Sequence, residues 1–202
     1  MTRQRHQKGL IIFIKNPQLG RVKTRLAIST GDVTALAVYH KLLAHTRNTA
    51  LNTDCNRYLF YDTAITEQDE WSTELFNKDV QATGDLGERM HTAFETCLAL
   101  NDKVVIIGSD CPEITSEIIE TAFRRLDLAD VVIGPTLDGG YYLLGMKKSH
   151  SELFMDMKWS TATVFSETIE RIQQKGSLYS KMPILSDLDN IEDLNKFPKF
   201  NA

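Results

Sequence analysis

The sequence predicts an α/β domain: a mostly parallel mixed sheet covered by helices on both faces, three layers in all. Three observations carry this. β-rich apolar runs alternate along the chain with stretches of helical periodicity. Several of the runs, at residues 10–14, 104–107 and 131–133, are apolar throughout, as in strands buried on both faces. No repeat, low-complexity segment or Pro/Gly/Ser-rich linker divides the 202 residues, so residues 1–202 are read as one domain.

The elements follow in order. Residues 9–15 form a buried strand, and a polar loop, 16–20, follows it. Residues 33–50 read as a helix, with Leu36, Tyr39 and Leu43 on one face and Ala35, Val38 and Leu42 beside them. Residues 58–61 are a second strand. The spacing predicts a helix over 86–100, because Met90, Ala93, Phe94, Cys97 and Leu98 recur on one face. A third strand at 104–107 leads to a helix capped by Thr115 and running to about 126. Its acids Glu117 and Glu120 come early and Arg124 and Arg125 late, as the helix dipole favours. Strands follow at 131–133 and 141–146, then a helix over 161–175 capped by Ser160 and stopped by Gly176. A short strand at 183–185 and a short helix at 191–197 complete the chain.

Composition excludes several classes. A hydrophobic fraction of 42% and a charged fraction of 25% are those of a globular protein, against disorder, collagen or coiled coil. Apolar runs such as 10–14 fall far short of the ~20 residues of a membrane helix. That first run stops at Lys15, too early for a secretory segment of roughly 7–15 apolar residues, so a cytoplasmic location and no membrane span are expected. Cys55, Cys97 and Cys111 are odd in number and widely spaced, and build neither a zinc site nor a disulfide framework.

Charge is uneven. Arg3, Arg5, Lys8, Lys15, Arg21, Lys23 and Arg25 all precede the first acid, Asp32; this stretch carries +7 of a net −4, which leaves −11 for the rest. A basic strand and loop on an acidic body suit a small phosphorylated ligand better than nucleic acid, which needs a broad basic face. Arg3, Arg5 and Lys8 read as a solvated tail; Lys15 to Arg25 do not.

Ligands of such sheets bind beyond the carboxyl ends of the strands, so the polar residues after each strand are the candidates. The first strand ends in Lys15-Asn-Pro-Gln-Leu-Gly20-Arg-Val-Lys23-Thr-Arg25. Lysine, arginine and the backbone N–H groups of a Gly-containing turn can meet phosphate oxygens; a basic surface loop is the alternative. It is not a Walker A loop, since Pro17 and Val22 stand where glycines are needed. Lys23 and Arg25 follow a loop with no local acid to pair with. Asp110, after the third strand, can hold Mg²⁺ or Mn²⁺ or merely shape an Asp-Cys-Pro turn. Asp187 and Asp189 offer further carboxylates, although Asp189 or Asn190 also suits the cap of the last helix. Between two strands lie Asp138, Gly139, Gly140, Tyr141 and Tyr142: a plain hairpin, or a place where a ligand meets backbone and an aromatic ring. Gln81, Gly84, Asp85 and Gly87 lead into a helix and suit either capping or the edge of a nucleobase. His40, His45 and His91 lie on helices without identifiable partners, and no Ser-His-Asp order or cysteine nucleophile is present.

Five segments in order sharpen this: Phe13-Ile-Lys-Asn-Pro-Gln-Leu-Gly-Arg-Val-Lys-Thr-Arg-Leu26, Gly84-Asp-Leu-Gly-Glu-Arg-Met90, Ile107-Gly-Ser-Asp-Cys-Pro112, Gly134-Pro-Thr-Leu-Asp-Gly-Gly-Tyr-Tyr-Leu-Leu-Gly145 and Trp159-Ser-Thr161. Together they closely resemble the DUF2064 family of bacterial GT-A-type transferases, from Gly9 to Leu194. Lys15 with Lys-Thr-Arg-Leu is more distantly similar to the start of 2-phospholactate guanylyltransferases. The plan also resembles nucleotide-sugar pyrophosphorylases and molybdenum-cofactor guanylyltransferases.

The resemblance implies a Rossmann-like GT-A, or nucleotide-diphospho-sugar transferase, fold in which the strand at 141–146 is the antiparallel one. It implies that Lys15, Gly20, Lys23 and Arg25 cradle nucleotide phosphates, that Gln81, Gly84, Asp85 and Gly87 face the base, and that Asp110 holds a divalent metal with Asp187 or Asp189. Two departures stand out: the loop has fewer glycines than that of pyrophosphorylases, and the Asp-x-Asp of glycosyltransferases is reduced to Ser109-Asp110. The expected activity is glycosyl transfer from a nucleotide sugar to a small acceptor at Gly139, Gly140, Tyr141 and Trp159, with Asp138 as a candidate base. The alternatives are nucleotidyl transfer from a nucleoside triphosphate to a phosphorylated acceptor, and a non-catalytic nucleotide-binding domain.

Overall fold

The structure is a computed structural model that describes residues 6–201. Arg3 and Arg5, read above as a solvated tail, lie outside the described residues. Seven strands form one sheet: β1 (His6–Ile14), β2 (Asn56–Tyr61), β3 (Asn77–Val80), β4 (Asn101–Ile107), β5 (Val131–Pro135), β6 (Tyr141–Met146) and β7 (Tyr179–Lys181). Their order is β3-β2-β1-β4-β6-β5-β7. β6 is antiparallel to both its neighbours, β4 and β5, while the other pairings are parallel. The short Asp138-Gly139-Gly140 connection forces the reversal, since a parallel return needs a crossover of a dozen residues or more.

The helices are α1 (Thr24–Thr30), α2 (Asp32–Leu51), α3 (Leu86–Leu98), α4 (Ser116–Arg125), α5 (Val164–Gln174) and α6 (Ile191–Lys196). Each central strand splits its side chains between two cores. Leu10, Ile12 and Ile14 of β1 join Tyr39 and Leu43 of α2 and Ile119 and Phe123 of α4. Ile11 of the same strand packs with Met90, Ala93 and Phe94 of α3 and Ile172 of α5. This two-sided burial is why the strands read as unbroken apolar runs. A third cluster joins Leu26 of α1 and Val38 and Leu42 of α2 to Leu188, Leu194 and Phe200, drawing the C-terminal segment against the start of the chain.

Several local expectations are corrected. The helix expected over 161–175 begins later, at Val164; Ser160 does not cap it but lies at φ 62°, and Thr161 Oγ1 bonds back to Lys158 O at 2.9 Å. Phe165 N instead donates to Gly139 O at 2.8 Å, so the β5–β6 turn satisfies the first turn of α5. The strand expected at 183–185 is displaced to Tyr179–Lys181, because Pro183 has no N–H for a ladder; only a lone bridge, Thr136 to Leu185, continues it. β3 and α1 were not expected: β3 is a polar edge strand without an apolar run, and α1 is a short helix inside the basic stretch. Lys8 is not solvated but pairs with Glu120 at 2.8 Å. His45 also has a partner, with Nε2 2.9 Å from Ile114 O, as has His91, with Nε2 3.2 Å from Ser149 Oγ. No described helix is long and apolar enough to cross a membrane.

Candidate active site

From β1 the chain moves to β2 on one side of the sheet, and β4 later pairs on the other side. Such a switch in direction opens a crevice between the carboxyl ends of two strands. Here a cleft of about 780 Å³ lies beyond β1 and β4 and reaches the β5–β6 turn. Of the residues singled out in the sequence, Lys15, Lys23, Arg25, Gln81, Asp110, Asp138, Gly140, Tyr141, Trp159, Asp187 and Asp189 line it. Gly20, Gly84, Asp85, Gly87 and Gly139 do not.

The charged floor comes from three loops. Lys23 Nζ stands 2.6 Å from Asp110 Oδ1 and 3.2 Å from Asp189 Oδ1, and Arg25 Nη1 lies 3.3 Å from Asp189 Oδ2. The cations that lack local partners in the sequence therefore pair across the fold. Three packing events bring them together. β4 delivers Asp110, Leu188 N donates to Asp110 O at 2.9 Å, and Leu194 with Phe200 holds the Asp189 segment against α1 and α2. Asn190, not Asp189, caps α6, through a capping box with Asp193, which leaves the Asp189 carboxylate to the cations. Burial opposes charge on Lys23, but Asp110 and Asp189 outweigh it and raise its pKa. For Asp187, burial together with the Asp110 and Asp189 charges pushes the carboxyl up to about 7.

Asp110, Asp187 and Asp189 are hard oxygen donors that suit Mg²⁺ or Mn²⁺, and their excess negative charge fits a cation. In this arrangement the Lys23 ammonium contacts two of them, and among the described residues no group of three or more His, Cys, Asp or Glu side chains is set to hold a metal ion.

Two positioning residues escaped the sequence reading. Buried Tyr39 on α2 accepts from Lys15 N at 2.9 Å, and its Oη lies 3.0 Å from Lys15 O and 3.3 Å from Ser109 Oγ, so one phenol ties the loop after β1 to that after β4. Asn16 donates from its backbone to Asp62 Oδ1 at 2.7 Å and from Nδ2 to Ala64 O at 2.9 Å, joining the same loop to the one after β2. For Tyr39, helical periodicity signalled only core; for Asn16 the signal was its place in the polar loop directly after β1, which gave no hint of its partners on the loop after β2.

On one wall, Gln81 donates to Ile14 O at 3.1 Å and Phe60 O at 3.2 Å, and accepts from Arg89 Nη1 at 3.2 Å. Its amide is thus engaged by protein. Asp85 is spent on the capping box of α3, and Gly84 takes φ 110° in the turn before it. Gly87 is buried, and a Cβ there would stand 2.5 Å from Phe154 O and 2.7 Å from the Trp159 indole. Leu86, Arg89 and Met90 line the cleft in their place. On the opposite wall, Thr136 Oγ1 and Gly140 N donate to Asp138 Oδ1 at 2.5 and 3.1 Å. The buried Trp159 Nε1 has no hydrogen-bond partner among the described residues.

A family model described as "Uncharacterized protein conserved in bacteria (DUF2064)" matches residues 45–161, more than half of the chain. The chain belongs to the DUF2064 family. This DUF2064 chain is similar to a Desulfovibrio desulfuricans G20 protein provisionally assigned as a nucleotide-diphospho-sugar transferase, at 29% identity and TM-score 0.87 over 94% of this chain and 85% of that one. Its fold is shared with a CMP:2-keto-3-deoxy-manno-octonic acid synthetase complexed with CTP, at 11% identity and TM-score 0.60 over 94% and 96% of the chains. It is shared also with Rv0371c of Mycobacterium tuberculosis H37Rv in complex with manganese, at 10% identity and TM-score 0.57 over 96% and 98%. No curated protein matches the chain. The fold is that of the nucleotide-diphospho-sugar transferases, as the resemblance implied.

Proposed function

We propose that this DUF2064 protein is a transferase that moves a sugar from a nucleotide-sugar donor to a small acceptor. The observation that carries the reading is the meeting of Lys23 and Arg25 with Asp110 and Asp189 on the floor of a cleft that has a second, separate wall at Asp138, Tyr141 and Trp159. That wall leaves room for an acceptor beside the nucleotide. Similarity to the Desulfovibrio protein supports the same reading.

The chain's residues divide the work. Lys15, Lys23 and Arg25 bind the diphosphate oxygens and, as the nucleoside diphosphate leaves, stabilise the charge it gains. Leu86, Arg89 and Met90, with Gln81 fixed behind them, form the wall for the base. Tyr141 and Trp159 offer ring surface to the sugar or acceptor. Asp138 takes the proton of the attacking hydroxyl, the Thr136 and Gly140 bonds holding its carboxylate in place. Asp110 with Asp187 or Asp189 would hold a divalent cation, which would supply Lewis-acid neutralisation of the diphosphate.

A second reading, nucleotidyl transfer, is favoured by the CTP-bound neighbour of the same fold. The two differ in their products. Purified protein is incubated with Mn²⁺ and a panel of nucleotide sugars or nucleoside triphosphates chosen by thermal shift. Nucleoside diphosphate release supports glycosyl transfer; pyrophosphate release with a phosphorylated acceptor replaces it with nucleotidyl transfer. Nucleotide stabilisation without either product leaves a binding domain.

A further inference from the structure

A lysine ammonium is seldom buried, because desolvation penalises the charge unless partners replace the water. The Lys23 side chain is nonetheless only 4% exposed, held by Asp110 and Asp189. Its backbone lies in the left-handed region at φ 48° and ψ 43°, strained for a residue with a Cβ, and it caps α1 with no side-chain bond to the helix. Arg21 and Arg25 on either side are exposed, so the inward course is particular to Lys23. Its ammonium stands between two of the three carboxylates assigned above to a metal.

We propose that Lys23 is a specificity determinant of this site: its ammonium fills the cation position between Asp110 and Asp189, so the protein discriminates against a free divalent ion and accepts one only together with a polyphosphate that draws the ammonium away. The proposal rests on the diphosphate reading above. A bare ion must evict a buried ammonium that gains no new anionic partner. A metal-bound diphosphate gives the carboxylates a dication and gives Lys23 phosphate oxygens, so both charges exchange partners and neither is left unpaired. The coupling is reciprocal: the diphosphate raises affinity for the metal by the same factor as the metal raises affinity for the diphosphate.

Mn²⁺ alone is the probe. Free Mn²⁺ is counted by electron paramagnetic resonance in titrations of the wild-type protein and of Lys23→Met, with Lys23→Gln as a second variant should the first fail to fold. The expected result is Mn²⁺ binding at least tenfold tighter in the variant than in the wild type. Equal or weaker binding overturns the proposal. In the wild-type protein, amine acetylation mapped by mass spectrometry is expected to modify Lys23 at least tenfold more slowly than exposed Lys15, and equal rates overturn it too. Neither measurement contains a nucleotide. Failure of the nucleotide reading therefore shows in the product assays, and failure of the exchange shows here.

Discussion

Lys23 and Arg25 sit two residues apart and pair with the same aspartate, yet their surroundings differ: 4% against 73% side-chain exposure. Arg25→Ala and Lys23→Ala are each expected to weaken nucleotide binding by roughly 10- to 150-fold, the equivalent of a charged hydrogen bond of about 1.5–3 kcal/mol. Calorimetric titration in low and high salt separates the two: the Arg25 effect shrinks as exposed charges are screened, and the Lys23 effect persists. An exposed pair contributes only about 0–1 kcal/mol to stability, so Arg25→Ala leaves the fold unchanged. Asp187 behaves oppositely to a salt-bridged acid. With its carboxyl pushed up to about 7, the folded protein keeps a proton that the unfolded chain has lost above about pH 4. Stability without metal therefore falls as pH rises from about 4 to 7. Asp187→Asn removes that penalty: denaturant unfolding should find the variant more stable at pH 8, by on the order of a few kcal/mol, and nearly equal to wild type at pH 4. Tyr39→Phe leaves Lys15 N–H without its buried partner. A loss of about 1–3 kcal/mol, read as a lowered Tm, is expected.

At the scale of elements, the wall proposed for the acceptor depends on a contact between a turn and a helix. Gly139 lies at φ 90°, a Cβ there would stand 2.1 Å from Ala162 O, and its own carbonyl accepts from Phe165 N at the start of α5. Gly139→Ala should destabilise the protein by on the order of 2–4 kcal/mol and displace the turn that carries Asp138. Gly108→Ala is the control: its Cβ would meet nothing within 4 Å, and stability should be unchanged within about 0.5 kcal/mol. The C-terminal clamp makes a parallel case. Leu194 is 4% exposed and packs with Leu26, Val38 and Leu42. Leu194→Ala should cost about 2–5 kcal/mol in denaturant unfolding. It should also weaken nucleotide binding in calorimetry although it touches no ligand, because it loosens the segment that holds Asp189.

For the whole molecule, the decisive feature is where the sheet changes direction. β2, on one side of β1, follows it through α1 and α2, whereas β4, on the other side, is reached from β3 through α3, and the crevice between β1 and β4 gathers loops that are distant in sequence. Asp110, Lys23 and Asp189 stand at 110, 23 and 189 along the chain and meet within 3.2 Å. The uneven charge of the sequence takes a spatial form there: the basic loop after β1 faces carboxylates of the acidic remainder across one cleft. The reversed strand β6 places the Asp138 turn on the same edge as Lys15 and Asp110.

Much of this was legible beforehand. The strands of β1, β4, β5 and β6 and the helices α2, α3 and α4 follow from local rules, since unbroken apolar runs and one-sided periodicity suffer little competition. The Thr115 cap follows for the same reason, its hydroxyl accepting from Ile118 N. Elements that lack an apolar signal did not show. β3 is polar and held by its ladder to β2 and by the Lys78 ammonium bonding Asp69 and Thr66, α1 is too short for a periodic stripe, and β7 is set by where Pro183 interrupts donation. At the candidate site, polar residue types in the loops after the strands singled out Lys15, Lys23, Asp110 and Asp138, and all four line the cleft, although a basic loop, a turn and a hairpin read equally well from the sequence. Their pairing could not be read. A buried ammonium between two carboxylates depends on the packing of Leu188, Leu194 and Phe200 against α1 and α2, an arrangement made of contacts far apart along the chain. Local chemistry decided which residues could meet a phosphate; long-range burial of apolar surface decided which of them stand together, because only the closed core fixes the distance between charges that the sequence keeps apart.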